Sequence, residues 1–244
     1  MITKNQVKYI QSLGQKKSRD EENCFIAEGP KLVNEFLTAS NCKVVQLYAL
    51  KEWIGDHANA KDHAEVIEVS VGELEKISQL TTPNLVVGVI EKIQWKNDPL
   101  VKGVISLALD TIQDPGNMGT IIRLADWFGV KTIFCSTDCA DVYNPKVVQA
   151  SMGSISRVRV EYTDILSLLE ENKEVGIYAA VLNGRDITQM EKLSEGIIVI
   201  GNESKGVNKE IVNLANVQVT IPGKGKAESL NAAVATGIIL SHLL

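Results

Sequence analysis

Three corners of the sequence combine glycine with polar side chains of the kinds that bind nucleotides or assist catalysis. The first corner runs from Leu109 to Arg123 and places Asn117 six residues before that arginine. A side-chain amide and a guanidinium that converge can bind a phosphate or a ribose. A plain turn followed by a solvent-facing arginine would contain the same residues. The corner is not a dinucleotide-binding fingerprint, because only Gly116 and Gly119 of that pattern are present.

The second corner is Gly201-Asn-Glu-Ser-Lys-Gly206, which follows an apolar run. Its two glycines have the spacing of a phosphate-binding P-loop, but Val207 and Asn208 stand where that loop needs Lys and Ser or Thr. A nucleotide-binding enzyme that uses this loop, one alternative class of protein, is therefore disfavoured. Glu203 is more informative, because a carboxylate at the end of a buried strand needs polar partners or solvent, and a functional pocket supplies both.

The third corner joins a strand to a helix near the end of the chain. A glycine-rich loop with Lys224 and Lys226 leads to a helix that is expected to begin at Ser229, followed by Leu230 and Asn231. Small residues in this helix would let another backbone approach closely. Tight helix packing alone would explain that composition.

The elements around these corners must position them, and from residue 104 onward apolar strands alternate with helices. Strands are predicted at 104–109, 132–135, 157–160, 177–181, 197–200 and 217–221. Helices are predicted at 118–128, 145–150, 165–172, 208–214 and 229–244. This alternation indicates an α/β fold with a parallel sheet covered on both faces. Ligands of such sheets bind beyond the carboxyl ends of the strands, where all three corners lie.

A smaller α/β unit precedes this pattern. Helices are predicted at 3–14, at 31–39 and after a capping box formed by Ser70 and Glu73, and strands at 44–50, 66–69 and 85–90. A polar segment near residues 95–102 interrupts the alternation and marks the boundary. We therefore expect two domains, residues 1–97 and 103–244.

Composition and charge set the class of protein. The 244 residues are 45% hydrophobic and 23% charged, and their apolar runs are too short to span a bilayer, so we expect a soluble cytoplasmic protein. The cysteines and histidines lack the spacing of zinc ligands, so no metal site is expected. The net charge of −5 argues against nonspecific coating of nucleic acid. Two basic clusters are still candidates for phosphate contacts, although a solvated surface explains the N-terminal one equally well. Their members are Lys4, Lys8, Lys16, Lys17 and Arg19 in the first cluster, and Lys224 and Lys226 in the second.

The three corners taken together resemble the signature motifs of a known family. Asn-x-Gly-x-x-x-Arg, Gly-Asn-Glu-x-x-Gly and Ile-Pro…Ser-Leu-Asn occur in the order found in SpoU/TrmH RNA 2′-O-ribose methyltransferases, and the resemblance spans residues 104–244. Lys4-Asn5, Lys16–Arg19 and Phe25–Gly29 resemble, more loosely, the L30e-like substrate-binding domain of that family.

The resemblance implies a SPOUT methyltransferase domain with a C-terminal trefoil knot, preceded by the L30e-like domain. It also implies S-adenosylmethionine as methyl donor, a homodimer, and an RNA substrate. The separate N-terminal domain favours ribosomal RNA. By motif position, the residues that hold the cofactor would be Leu182, Asn183, Gly184, Gly201, Ile221 and Leu230. The catalytic and acceptor-binding positions would be Asn117, Arg123, Glu203, Ser229 and Asn231.

The chemistry requires that the protein place a ribose 2′-oxygen in line with the methyl group and help remove its proton. No histidine lies near the motifs, and a guanidinium is protonated under nearly all conditions. We therefore hypothesise that Arg123 stabilises the developing alkoxide or orients a phosphate that receives the proton. Glu203 would fix Arg123 or Asn117, and Ser229 and Asn231 would hold the acceptor ribose.

Three alternatives stay open at this point. The substrate could be transfer RNA, the methylated group could be a base, or the chain could be an RNA-binding module without catalysis. The last alternative is disfavoured because such a module needs none of the five motif residues, all of which are present.

Overall fold

The computed structural model describes residues 2–244 and divides the chain into two compact units. The first unit extends to Lys96 and also contains Asp141–Ser156, and the second consists of Asn97–Ala140 and Arg157–Leu244. The segment 141–156 was expected within the continuous second domain. Its contacts lie instead in the first unit, where its helix packs against the first strand.

Ten helices and ten strands are found in the described residues. The helices are α1 (Lys4–Ser12), α2 (Lys16–Glu22), α3 (Pro30–Thr38), α4 (Lys51–Asp56), α5 (Val71–Ile77), α6 (Pro115–Trp127), α7 (Pro145–Ser151), α8 (Ile165–Glu171), α9 (Lys209–Leu214) and α10 (Ala232–Leu243). The strands are β1 (Cys24–Glu28), β2 (Val44–Ala49), β3 (Glu65–Glu68), β4 (Val86–Glu91), β5 (Ile105–Asp110), β6 (Thr132–Cys135), β7 (Arg159–Tyr162), β8 (Ile177–Asp186), β9 (Gly196–Gly201) and β10 (Val217–Thr220). Short 3-10 helices cover Ala58–Asp62, Ser154–Ser156 and Ile187–Gln189.

The first unit is built on a four-stranded sheet in the order β1-β4-β2-β3. Strands β2 and β3 are parallel, and the other two pairings are antiparallel. Ile10 and Leu13 at the end of α1 and Leu74 and Ile77 on α5 form one core cluster with sheet residues such as Tyr48. Apolar side chains at helical spacing therefore bury one side of this sheet.

The second unit is built on a six-stranded, fully parallel sheet in the order β10-β8-β9-β5-β6-β7. Its chain runs outward from β5 through β6 to β7, then continues on the other side of β5 with β8, and β9 fills the place between them. Strands β5 and β9 are therefore neighbours at the point where the order of strands reverses, with Asp110 opposite Gly201. A crevice at such a switch point is where parallel sheets bind ligands.

Helices cover both faces of this sheet. Ile165 of α8 and Ile211 of α9 share a core cluster with Val199 and other side chains of one face. Ile198 and Ile200 alternate onto the opposite face and are buried as well. Helix α10 contacts β9 and packs against α6, so the expected two-sided parallel sheet is found.

Two helix starts differ from the sequence prediction and change the setting of motif residues. Helix α6 begins at Pro115 rather than 118, because Asp114 caps it and a proline suits the first helical position. Asn117 therefore lies in the first turn of a helix and not in a loop. Helix α10 begins at Ala232 with Asn231 as its N-cap, so Ser229 precedes the helix instead of opening it.

Strand β8 continues to Asp186, beyond the predicted end at residue 181, and its pairing is irregular in this added part. Ala179 is paired with Gln218 of β10, but the next pair joins Arg185 to Val219, so residues 180–184 bulge out of the register. No described helix, in residues 2–244, is long and apolar enough to cross a membrane. In the same part of the chain, no group of three or more His, Cys, Asp or Glu side chains is placed to hold a metal ion.

Candidate active site

The carboxyl edge of the second sheet gathers the three glycine-containing corners. Because β10, β8, β9 and β5 are parallel neighbours, the segments that leave them emerge side by side. These segments contain the start of α6, the loop 201–208, the bulge of β8 and the loop that leads to α10.

A chain of hydrogen bonds joins one residue from each corner. The Nδ2 of Asn117 donates to Oε1 of Glu203, and the Oδ1 of Asn117 accepts from Nδ2 of Asn231 at 2.8 Å. The two bonds connect residues that are 86 and 114 positions apart in the sequence. The fold thus brings Asn117, Glu203 and Asn231 together across the switch point.

Helix-capping hydrogen bonds hold Asn117 and Asn231 of this series of hydrogen bonds in place. The backbone N–H of Asn117 donates to the Asp114 cap at 2.8 Å. The Oδ1 of Asn231 caps α10 by accepting from the N–H groups of Ala233 (3.0 Å) and Val234 (3.2 Å). Capping thereby directs the Asn231 amide nitrogen towards Asn117. The second carboxylate oxygen of Glu203 makes no hydrogen bond within residues 2–244, so it can accept one from a ligand.

Arg123 and Ser229 take no part in the hydrogen bonds that join Glu203, Asn117 and Asn231. Arg123 lies six residues beyond Asn117 on α6, which is about 9 Å along a helix axis. Its side chain is exposed and has no hydrogen bond or ion pair among the described residues. Ser229 is exposed in the loop before α10 and likewise has no side-chain partner in that part of the chain.

The residues expected to bind the cofactor lie at the ends of three adjacent strands. Leu182, Asn183 and Gly184 form the β8 bulge, Gly201 ends β9, and Ile221 follows β10 directly. Leu230, the last of the expected cofactor-binding residues, directly precedes Asn231, the N-cap of α10.

The bulge is tied to β10 by side-chain and backbone contacts. The Thr220 hydroxyl donates to the Leu182 carbonyl at 2.9 Å. A Cβ at Gly184 would lie 2.6 Å from the Gln218 carbonyl oxygen, so only glycine fits this approach.

This edge suits an adenosyl group. Leu182 in the bulge is 71% exposed and Leu230 before α10 is 45% exposed, so both apolar side chains are accessible to a ligand. An adenine ring would bury such side chains and take hydrogen bonds from backbone groups of a bulge that lies outside the strand ladder. The donor set therefore fits S-adenosylmethionine.

Comparison with known proteins settles the family. Residues 104–241 match the SpoU rRNA methylase family, and residues 4–88 match the MRM3-like substrate binding domain. The chain belongs to the SpoU rRNA methylase family. This SpoU methylase is 29% identical to the 23S rRNA (guanosine(2553)-2′-O)-methyltransferase RlmP of Bacillus subtilis, over 98% of this chain and 96% of the relative.

Solved structures agree with this SpoU methylase in sequence and fold. An rRNA methyltransferase from Sinorhizobium meliloti with bound S-adenosylmethionine is 31% identical, covers 100% of this chain and 95% of its own, and superposes with a TM-score of 0.86. The SpoU methyltransferase AviRb of Streptomyces viridochromogenes shares the fold at 24% identity, with coverage of 99% and 97% and a TM-score of 0.86. The expected RNA methyltransferase class and α/β SPOUT fold are confirmed. The relatives also match the expected ribose 2′-O chemistry and methyl donor.

One basic residue of this SpoU methylase differs from expectation. Arg19 is 1% exposed, and its guanidinium donates to the Asp141 carboxylate (3.1 Å from Nε) and to the carbonyls of Leu13 and Gly14 (2.9 Å each). A buried, paired guanidinium is unavailable to a phosphate, so Arg19 is a structural residue of the first unit. The other six basic residues have exposed side chains: Lys4, Lys8, Lys16, Lys17, Lys224 and Lys226.

Sequence reasoning missed two polar residues that shape the second corner. The Oδ2 of Asp110 accepts from the backbone N–H of Asn208 at 2.7 Å, and Nδ2 of Asn202 donates to the Thr111 carbonyl at 2.9 Å. A carboxylate that ends an apolar run and an asparagine beside Glu203 were both visible signals. Either could have been selected by the argument that singled out Glu203.

Cys139 contacts the backbone of the turn that follows β5. The Cys139 thiol accepts from the Ile112 N–H at 3.2 Å. Its hydrogen bond with Cys135 is the largest cause that lowers the pKa of Cys139 to about 7, against the opposing effect of burial. Burial raises the pKa of the Cys135 thiol well above its usual range.

Proposed function

We propose that this SpoU methylase transfers the methyl group of S-adenosylmethionine to the ribose 2′-hydroxyl of a nucleotide in ribosomal RNA. The observation that carries the proposal is the hydrogen-bond chain through Glu203, Asn117 and Asn231 at the switch point of the sheet. The full-length similarity to a 23S rRNA 2′-O-methyltransferase supports the choice of RNA. We also propose a cytoplasmic location, which the similarity to a bacterial rRNA methyltransferase supports.

Binding of the cofactor supplies an electrophilic methyl sulfonium, so the protein must orient the 2′-oxygen and assist loss of its proton. Arg123 stabilises the developing alkoxide or orients a phosphate that takes the proton, and its unpaired guanidinium is free for this role. Of the two residues that Glu203 could fix, it binds and orients the Asn117 amide and makes no hydrogen bond or ion pair with Arg123. Ser229 and the remaining N–H of Asn231 hold the acceptor ribose.

The cofactor lies on the edge formed by the β8 bulge and the ends of β9 and β10. Leu182 and Leu230 would cover the adenine, and backbone groups of Asn183, Gly184, Gly201 and Ile221 would hold the adenosyl part. A trefoil knot in the C-terminal segment is part of this proposal and fits the fold shared with the solved relatives.

The two domains divide the work. Residues 103–244, apart from the segment 141–156 that lies in the first unit, carry out methyl transfer, and residues 1–97 bind the RNA substrate, as the match of residues 4–88 to a substrate-binding domain supports. The exposed lysines of α1 and α2 contribute phosphate contacts.

Tritium transfer from labelled S-adenosylmethionine to separated RNA fractions of a strain lacking this protein tests the function. We expect label in one 2′-O-methylated nucleoside of ribosomal RNA. Label in transfer RNA would contradict the proposed ribosomal RNA substrate. Label on a base would contradict the proposed 2′-hydroxyl acceptor. Cofactor binding with no transfer to any RNA would favour the RNA-binding module without catalysis.

The double variant Lys224→Gln/Lys226→Gln should weaken RNA binding and make it less dependent on salt. Each lost phosphate contact lowers the slope of log affinity against log salt by about 0.7 to 0.9, so the double variant should lose about 1.5. Filter binding at several salt concentrations measures the slope. Lys173→Gln, an exposed lysine before the amino end of β8, is the matched control and should keep the wild-type slope. An unchanged slope in the double variant would remove both lysines from the RNA-binding surface.

We also propose that the enzyme is a homodimer through the surface of α6 and α10. Trp127 is 84% exposed on α6, and Val234 is exposed on α10, two helices that pack together. A large apolar side chain this exposed on packed helices suits a protein interface. Trp127→Lys should yield monomers in sedimentation velocity, whereas Leu100→Lys, at another exposed apolar residue, should not. A monomeric wild-type protein would contradict the proposal.

A further inference from the structure

The turn after β5 holds a backbone conformation that its residue type disfavours. Thr111 has a φ of 61°, in the left-handed region that favours glycine, and it is β-branched. Such conformations persist only where the surrounding structure imposes them, and they are concentrated at functional sites.

Side chains of the turn after β6 impose this conformation. The N–H of Thr111 donates to Oγ of Ser136 at 2.9 Å, and the next N–H, from Ile112, donates to the Cys139 sulfur. The Thr111 hydroxyl donates to the Asp110 carboxylate at 3.0 Å. The backbone of the turn is thus held from both strands.

The turn at Asp110 and Thr111 supports both ends of the loop that carries Glu203. At one end, the Thr111 carbonyl accepts from Asn202, whose Oδ1 accepts from the N–H groups of Ser204 (2.9 Å) and Lys205 (3.1 Å). At the other end, Asp110 accepts from the backbone of Asn208. Glu203 lies between these two attachments.

We propose that Ser136 is a positioning residue for methyl transfer, which holds the Thr111 turn so that Asn202 stays anchored to that turn and Glu203 is oriented towards Asn117. Ser136 touches neither RNA nor cofactor in this proposal, and its effect passes through Glu203. The inference rests on the role assigned to Glu203 under the proposed function.

Ser136→Ala should lower kcat by roughly tenfold or more, because small misplacements of a catalytic set cost rate steeply. The KM for RNA and the Kd for S-adenosylmethionine should change less than about twofold, since Ser136 contacts neither. Ser136→Thr, which keeps the hydroxyl, should restore kcat. Ser167→Ala, on the exposed side of α8, is the matched control and should behave as wild type.

A double-mutant cycle separates this role from a general structural one. In a Glu203→Gln background, measured in single turnovers with labelled methyl donor, Ser136→Ala should have no further effect. Equal losses in both backgrounds would overturn the proposal. Wild-type turnover of Glu203→Gln alone would instead refute the catalytic role of Glu203, and the two failures are thereby distinguished.

Amide hydrogen exchange provides a readout that does not depend on turnover. Protection of the Ser204 and Lys205 backbone N–H groups should fall in Ser136→Ala and return in Ser136→Thr. Both groups donate to the side chain of Asn202, which the Thr111 carbonyl holds in place. Unchanged protection would overturn the proposal even if kcat fell.

Discussion

Arg123→Ala should lower kcat for methyl transfer by about 100- to 1,000-fold, the range typical for loss of one group that stabilises charge in a transition state. The guanidinium is exposed and makes no hydrogen bond or ion pair with any described residue, so the folded structure does not depend on it. The melting temperature and the Kd for S-adenosylmethionine should therefore stay close to wild type. Single-turnover kinetics on the RNA identified by the labelling experiment measure the effect.

Arg123→Lys shows which property of the side chain matters. An ammonium keeps the positive charge but cannot form the planar, two-pronged contact of a guanidinium. An intermediate kcat would indicate that Arg123 acts through charge and geometry together, and a kcat as low as that of Arg123→Ala would indicate geometry alone. If both variants turned over at nearly wild-type rates, the catalytic role of Arg123 would be wrong.

The centre of the second sheet could be predicted from the sequence because its two central strands, β5 and β9, are largely apolar. Ile105–Asp110 and Gly196–Gly201 are buried on both faces, so each reads as a short, continuous apolar run between polar turns. The alternation of strands and helices along the sequence also predicts that the three corners lie at one edge of a parallel sheet. The proximity of Asn117, Glu203 and Asn231 then followed from the parallel direction of the strands.

The boundaries and partners within the first unit were harder to predict. Strand β1 is buried at all five positions and has no alternation, and α2, with the sequence Lys-Lys-Ser-Arg-Asp-Glu-Glu, has no apolar face. A period search cannot find either element. The burial of Arg19 depends on Asp141, which is 122 positions away, and local sequence contains no sign of so distant a partner.

The left-handed conformation of Thr111 escaped prediction for a related reason. Threonine ordinarily favours extended backbone, and the groups that hold it otherwise come from Ser136, Asp110 and Asn202 on three different segments. Tertiary contacts override local preference here, and the override lies at the candidate active site, where such exceptions are expected.

Gly184→Ala should abolish or greatly weaken cofactor binding, with a rise of at least about 100-fold in the Kd for S-adenosylmethionine. The added Cβ would lie 2.6 Å from the carbonyl oxygen and 2.7 Å from the carbonyl carbon of Gln218, and neither backbone atom can move without shifting β10. The bulge and the end of β10 would separate, and both are proposed to bind the adenosyl group. Isothermal titration calorimetry gives the Kd, and circular dichroism shows whether the rest of the fold persists.

Gly223→Ala is the matched control for this change. Gly223 lies in the exposed loop after β10, has no positive φ, and a Cβ there would meet nothing within 4 Å. The same methyl group should therefore leave the Kd within about twofold of wild type, since surface substitutions of this kind cost little. If Gly184→Ala bound the cofactor as tightly as Gly223→Ala does, the adenosyl site would have to lie away from the β8 bulge, and the roles of Leu182 and Asn183 would fall with it.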